Sequence, residues 1–137
     1  MYTTDRFEFT TAAPEKADVI IDESTQGKQQ LLKRIAQGLS LPDYFGENWD
    51  ALIDCLSDLS WSQASEAIID HAGIPHLPPR DLRLYLESLV DAADRRTPDR
   101  LPRLRFVFRV KDRGAVAAVL AGSYTRGAEK ADDDLAR

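Results

Sequence analysis

The chain alternates short apolar runs with longer stretches in which apolar residues recur every three or four positions. The short runs predict strands. Residues 18–22 read DVIID, a β-branched run typical of a buried strand, and residues 67–69 give a second one. Between residues 104 and 110 every second position is apolar, which predicts a strand with one buried face and a sheet covered mainly on one side. Phe7 and Phe9 flank Glu8 and predict a short edge strand.

The longer stretches predict helices. Apolar residues follow helical spacing in residues 31–39 and again in residues 82–93, just beyond a loop with three prolines. A third helix is predicted after Gly46, and a short final one at residues 115–121. Because strands alternate with helices, the pattern favours a small parallel sheet with helical crossovers.

Composition limits the function. The 137 residues suit one domain, and the net charge of −5 argues against a general nucleic-acid binder while it suits a basic protein partner. Cys55 is the only cysteine, so no intramolecular disulfide is expected. The chain has no secretory signal pattern and no apolar run of the roughly 20 residues that a membrane span needs. We therefore expect a cytoplasmic protein that does not contact membranes.

The most informative segment is residues 41–61, which read LPDYFGENWDALIDCLSDLSW. Its acidic residues recur at intervals of three and four, which places them on one stripe of a helix: Glu47, Asp50, Asp54 and Asp58. Like charges at that spacing cost a helix about 0.2–0.5 kcal/mol per pair, and the later aspartates also oppose the helix dipole. Folding alone gives little reason for this stripe.

The stripe has three interpretations. The first is a solvated helix face, which is the usual meaning of such a pattern. The second is a patch that binds arginine and lysine side chains of a partner protein. The third is an acid/base pair or hard-cation site built from Asp50 and Asp54, although no further ligands are evident.

Other chemistry is weakly indicated. Cys55 falls toward the apolar side of the helix, where a buried, unreactive thiol is expected. His71 and His76 have no partners at zinc-site spacing and are interpreted as loop histidines. Because phosphate-loop, dinucleotide and serine-hydrolase motifs are missing, we expect neither an enzyme nor a cofactor or metal.

The same segment resembles the barstar family, the intracellular inhibitors of secreted, barnase-type ribonucleases. The likeness rests on Leu41-Pro42, an acidic residue with two aromatics, and three short runs: Gly46-Glu47-Asn48, Asp50-Ala51-Leu52 and Asp54-Cys55-Leu56. It extends through the order of strands and helices over residues 18–111. The resemblance implies a barstar-like α/β domain with a three-stranded parallel sheet, preceded by an extension at residues 1–17 and followed by a helix and polar tail at residues 112–137.

The resemblance also implies contact residues. Asp50 and Asp54 match the two helix aspartates that enter the ribonuclease active site, where carboxylates substitute for RNA phosphates. An aspartate of this family is a standard example of an interface hot spot, so its importance comes with the resemblance. Tyr44 matches the contact tyrosine, and Gly46 and Asn48 match the contact loop.

Three positions depart from the family pattern. Phe45 replaces a tyrosine, Trp49 a leucine and Ile53 an interface tryptophan, which leaves the target open. The family also uses an acidic residue of the next helix, for which Asp91 is the candidate and Asp94 the alternative.

The predicted function is therefore intracellular inhibition of a basic secreted-type ribonuclease or related toxin, by a protein that is monomeric when free and binds no nucleic acid directly. The two rivals are a barstar-like immunity or regulatory module with a different basic target, and a carboxylate-dependent hydrolase. The hydrolase would need a concave pocket at Asp50 and Asp54, whereas an inhibitor would present an exposed ridge.

Overall fold

The computed structural model describes residues 2–42 and 46–122. The strands are Phe7–Thr10 (β1), Val19–Ile21 (β2), Glu66–His71 (β3) and Arg103–Arg109 (β4). The helices are Gly27–Gly38 (α1), Trp49–Asp58 (α2), Pro79–Asp94 (α3) and Arg113–Leu120 (α4), and a 3₁₀ turn at Val110–Asp112 precedes the last of them.

The strands form one parallel sheet in the order β1-β4-β3-β2. The predicted α/β class with a parallel sheet is confirmed, but the prediction of three strands is wrong because β1 adds a fourth. Phe7 pairs with Phe106 and Thr10 with Arg109. The Phe7 ring is buried against Phe106 and Phe108, which gives this edge strand an apolar anchor.

One face of the sheet carries most of the apolar core, and the other is largely polar. On the polar face, Arg105 binds Glu8 at 2.7 Å and Glu66 at 3.4 Å, so it bridges β1, β4 and β3. Its guanidinium lowers the pKa of Glu8. Val107, between Arg105 and Arg109 on the same face, is nevertheless fully buried. The one-sided interpretation of β4 is therefore wrong at Val107, which lies on an inner strand between its register partners Glu8 of β1 and Asp70 of β3. Val110, expected on the buried face of that strand, is instead half-exposed in the 3₁₀ turn.

His71 is a core residue rather than a loop histidine, which corrects the sequence-based interpretation. It ends β3, is fully buried, and stacks on Phe108 with ring centroids 3.9 Å apart. Its Nδ1 lies 2.9 Å from the Val107 carbonyl oxygen and its Nε2 lies 2.7 Å from the Tyr85 hydroxyl. A carbonyl only accepts, so the neutral ring carries its proton on Nδ1 and accepts from Tyr85 through Nε2. The exposed His76 does lie in a loop, as expected.

We predict that His71 makes the fold acid-sensitive. Burial lowers the pKa of His71 to about 4, whereas the unfolded chain protonates histidine near 6.5. Below pH 6.5 the unfolded state therefore binds a proton that the native state does not bind. Stability falls with pH until the pH reaches the native pKa of His71. The full loss is about 3 kcal/mol. Urea unfolding between pH 7 and 5 measures the part of this loss that falls above pH 5, which is about 2 kcal/mol.

Two variants isolate the contribution of His71 to this slope. His71→Gln removes the titrating group, so its free energy of unfolding is expected to vary less between pH 7 and 5 than that of the unmodified chain. His76→Gln removes an exposed histidine and is expected to keep the original slope. Equal slopes in all three proteins would refute the prediction.

Candidate functional site

The acidic helix α2 begins at a well-formed N-cap. Asn48 has extended backbone, and its Oδ1 accepts a 2.8 Å hydrogen bond from the Ala51 amide. Its Nδ2 donates to the Gly46 carbonyl at 3.4 Å, and a Cβ at Gly46 would lie only 3.2 Å from that nitrogen. A glycine at position 46 therefore leaves room for this hydrogen bond. Glu47 precedes the helix with φ of +52°, so the predicted four-residue stripe is wrong by one member, and α2 carries only three of these carboxylates.

The helix has a buried side and an acidic side. Its buried residues anchor it to the rest of the domain: Leu52, Ile53, Cys55 and Leu56. Asp50 is exposed, and the side chain of Asp54 is 74% exposed. We call Asp50 and Asp54 the acidic ridge. Cys55 is a buried free thiol whose pKa is raised by burial, in line with the expected unreactive role.

Arginines from the segment after α3 compensate part of the negative charge. Arg95 Nη1 lies 3.0 Å from Asp54 Oδ1, and Arg100 Nη2 lies 3.4 Å from Asp58 Oδ1. No hydrogen bond or ion pair joins Asp50 to another residue within 2–42 and 46–122. Asp50 lies in the first turn, where the helix dipole favours a negative charge. Two of the three carboxylates of α2 are thus compensated by arginines that are distant in sequence, and the sequence of residues 41–61 did not indicate these ion pairs.

Two arginines also hold the C-terminal end of α2. Arg96 is buried, and its Nη1 donates to the carbonyls of Ser57 at 2.9 Å and Asp58 at 3.1 Å, while its Nη2 donates to the Pro102 carbonyl. Arg100 donates to the same two helix carbonyls. Burial, and then the nearby Arg100 charge, lower the pKa of Arg96. These guanidinium groups satisfy helix-end carbonyls and offset the negative end of the dipole. These contacts with the end of α2 were not predicted from the sequence, although the four arginines within residues 95–103 indicate a basic segment there.

The aromatic residues predicted at the site are only partly described. Trp49 is half-buried, with its ring centroid 6.1 Å from that of Tyr85 and Lys28 Nζ 5.2 Å above its ring. It therefore anchors the start of α2 while part of the ring stays accessible. Tyr44 and Phe45 lie outside the described residues. Ile53 is only 9% exposed, which gives it little surface for a partner.

The acidic residues of α3 are engaged by the N-terminal segment. The Tyr2 hydroxyl donates to Asp91 Oδ2 at 3.0 Å, and Arg6 Nε lies 2.8 Å from Asp94 Oδ1. Burial, with the bond to Asp91, raises the pKa of Tyr2 to about 12. Asp91 is half-buried and Asp94 exposed, so neither is a free carboxylate in this structure. Arg95 follows Asp91 by one turn and reaches Asp54, which places the end of α3 beside the acidic ridge.

Three clefts among residues 2–42 and 46–122 have volumes of about 490, 290 and 330 Å³, and neither Asp50 nor Asp54 contributes to their walls. Within residues 2–42 and 46–122, no group of three or more His, Cys, Asp or Glu side chains is arranged to hold a metal ion. Both carboxylates of the acidic ridge are exposed at the surface of the described part of the chain.

The fold and the site together define a class of small domain, a parallel α/β sheet domain that presents an exposed, N-capped acidic helix. Residues 17–111 match a family model described as Barstar (barnase inhibitor), and the chain belongs to this family. The resemblance drawn from residues 41–61 is thereby confirmed. Neither the curated proteins nor the solved structures compared with the chain gave a match. Within the two described ranges, no helix has the length and apolar character needed to cross a membrane.

Proposed function

We propose that this protein inhibits a basic ribonuclease in the cytoplasm by inserting the acidic ridge of α2 into the active site. The observation that carries the proposal is the exposure of Asp50 and Asp54 on a core-anchored helix of a Barstar-family chain. A ribonuclease holds RNA phosphates with arginine, lysine and histidine. Carboxylates presented on a rigid helix can occupy those positions as phosphate substitutes.

The structure of α2 favours such insertion because the helix is fixed before the partner arrives. Its apolar side is buried, its N-terminus is capped by Asn48, and its C-terminal carbonyls are held by Arg96 and Arg100. A preorganised helix loses little conformational entropy on binding. Inhibition is then steric and electrostatic, and the protein itself performs no catalysis.

The residues around the ridge are proposed to frame it. Gly46 and Asn48 are exposed at the start of α2, and the accessible part of Trp49 lies beside them. Tyr44 and Phe45 remain predicted contacts on the family pattern. Ile53 and Asp91 are proposed as minor contacts, since the first is almost buried and the second is bonded to Tyr2.

The test is a titration of a basic, barnase-type ribonuclease with this protein. We expect activity to fall to zero at one equivalent, and the association rate to decrease steeply between about 20 and 200 mM salt because the partners carry opposite charge. Stopped-flow fluorescence and an RNA-cleavage assay measure the two quantities. An acidic protein of similar net charge is the control for nonspecific charge effects. Full ribonuclease activity at excess inhibitor rejects the proposal for that target.

The second candidate is a barstar-type immunity or regulatory module with a different basic toxin as target. Two observations favour it: a large aromatic contact is replaced by the nearly buried Ile53, and the Asp91 carboxylate is engaged by Tyr2. Binding to a basic protein that lacks ribonuclease activity, lost on replacement of Asp54, would distinguish this function.

A further inference from the structure

The acidic ridge is asymmetric in the free protein. Asp54 is paired with Arg95, whereas Asp50 has no such partner among the described residues. Arg95 is the residue at the C-terminal cap of α3, and it meets Asp54 across 41 positions of sequence. The pairing is therefore a tertiary contact between the two helices, made at the carboxylate that is proposed to contact the target.

The contact is built to be reversible. It joins one guanidinium nitrogen to one carboxylate oxygen at 3.0 Å, and the two side chains are 55% and 74% exposed. Arg109 and Asp70 show the opposite design in the same chain, with two hydrogen bonds of 2.8 Å and side chains only 12% and 3% exposed. Exposed single-contact pairs add little stability, whereas buried paired charges are costly to break. The Arg95–Asp54 pair can thus open at little cost to the fold.

Arg95 also presents the chemical group that a ribonuclease would bring. A phosphate-binding arginine of the target would meet the Asp54 carboxylate with the same guanidinium group, and the two cations would repel each other at short range. We propose that Arg95 is a built-in competitor for Asp54, which weakens binding of every target and so restricts the inhibitor to partners that bring enough positive charge to displace it. This inference rests on the proposed function and assigns to Arg95 a role in target selection.

Specificity follows from the difference between strong and weak partners. A target with several converging cations is attracted by Asp50 as well as by Asp54. It therefore still gains binding energy after it displaces Arg95 from Asp54. A protein with one exposed lysine or arginine gains too little to displace it. Removal of Arg95 should therefore improve weak, nonspecific binding at least as much as binding of the proper target.

The test compares the unmodified protein with Arg95→Gln, using a basic, barnase-type ribonuclease as the probe. Lys33→Gln is the matched control, since it removes one exposed positive charge from α1 that forms no ion pair with Asp50 or Asp54 among the described residues. We expect Arg95→Gln to bind about two- to fivefold more tightly than the Lys33→Gln control at about 150 mM salt, the range that a surface ion pair provides. Kd values come from titration calorimetry.

A double-mutant cycle shows whether Arg95 acts through Asp54. On an Asp54→Ala background, Arg95→Gln is expected to change the Kd no more than Lys33→Gln does on the same background. If Arg95→Gln binds no better than Lys33→Gln, or binds worse, the competitor role is wrong while the proposed function stands. If neither the unmodified protein nor Arg95→Gln binds the ribonuclease, the proposed function fails and this role fails with it.

Discussion

Replacement of Asp54 by alanine is expected to weaken binding of the target ribonuclease by about 2–5 kcal/mol, which is roughly thirtyfold to several thousandfold in Kd. The side chain is 74% exposed in the free protein, so the variant should fold normally. In the complex, however, its loss leaves a cation of the ribonuclease active site buried without a partner. Asp50→Ala is expected to act in the same direction. Inhibition constants at fixed salt measure both effects.

The matched control for this experiment is Asp58→Ala. It removes the same charge from the same helix, but Asp58 is paired with Arg100 near the C-terminal end and lies two turns from Asp50. We expect its inhibition constant to change by less than about tenfold, as long-range charge effects are screened in salt. Equal inhibition by Asp54→Ala and Asp58→Ala would show that the acidic ridge is not the contact surface.

The Asp54→Ala effect is expected to come from the lost carboxylate and not from the arginine that the substitution leaves unpaired. Arg95 contacts Asp54, and its proposed role in binding runs through that contact. The double variant Asp54→Ala with Arg95→Gln is therefore expected to bind the target no more tightly than Asp54→Ala with Lys33→Gln, a comparison that the alanine substitution alone does not offer.

The parts of the site that could be predicted from sequence depend on local patterns. Helical spacing of the acidic residues placed Asp50 and Asp54 on one side of the helix, and both are exposed there. The class of fold followed in the same way from alternating strand and helix periods.

The parts that were missed depend on contacts between distant residues. Arg95 and Arg100 reach α2 across about forty positions, and no periodicity in either segment indicates which carboxylate each would meet. The edge strand at Phe7 and Phe9 was predicted from its local pattern, but its pairing with β4 was not, because Phe7 pairs with Phe106 at the other end of the chain. Glu47 was misplaced because a left-handed backbone before the helix takes it off the helical stripe.

The largest effect on the fold itself is expected at Arg109. Its two terminal nitrogens each donate to a different oxygen of Asp70 at 2.8 Å, and this fork raises the pKa of the arginine. Asp70 lies on β3 beside His71, with its side chain only 3% exposed, and Arg109 ends β4. The pair therefore ties two central strands together at their carboxyl ends, away from water.

We predict that Arg109→Met lowers the free energy of unfolding by about 3–5 kcal/mol, because it leaves the Asp70 carboxylate buried without its partner. That is a large share of the roughly 5–15 kcal/mol typical of a small domain. The control is the double variant Asp70→Leu with Arg109→Met, in which no buried charge remains and which should be more stable than Arg109→Met alone. Urea unfolding followed by circular dichroism gives both values. A cost below about 1 kcal/mol for Arg109→Met, or a double variant less stable than the single one, would show that the pair contributes by some means other than charge compensation.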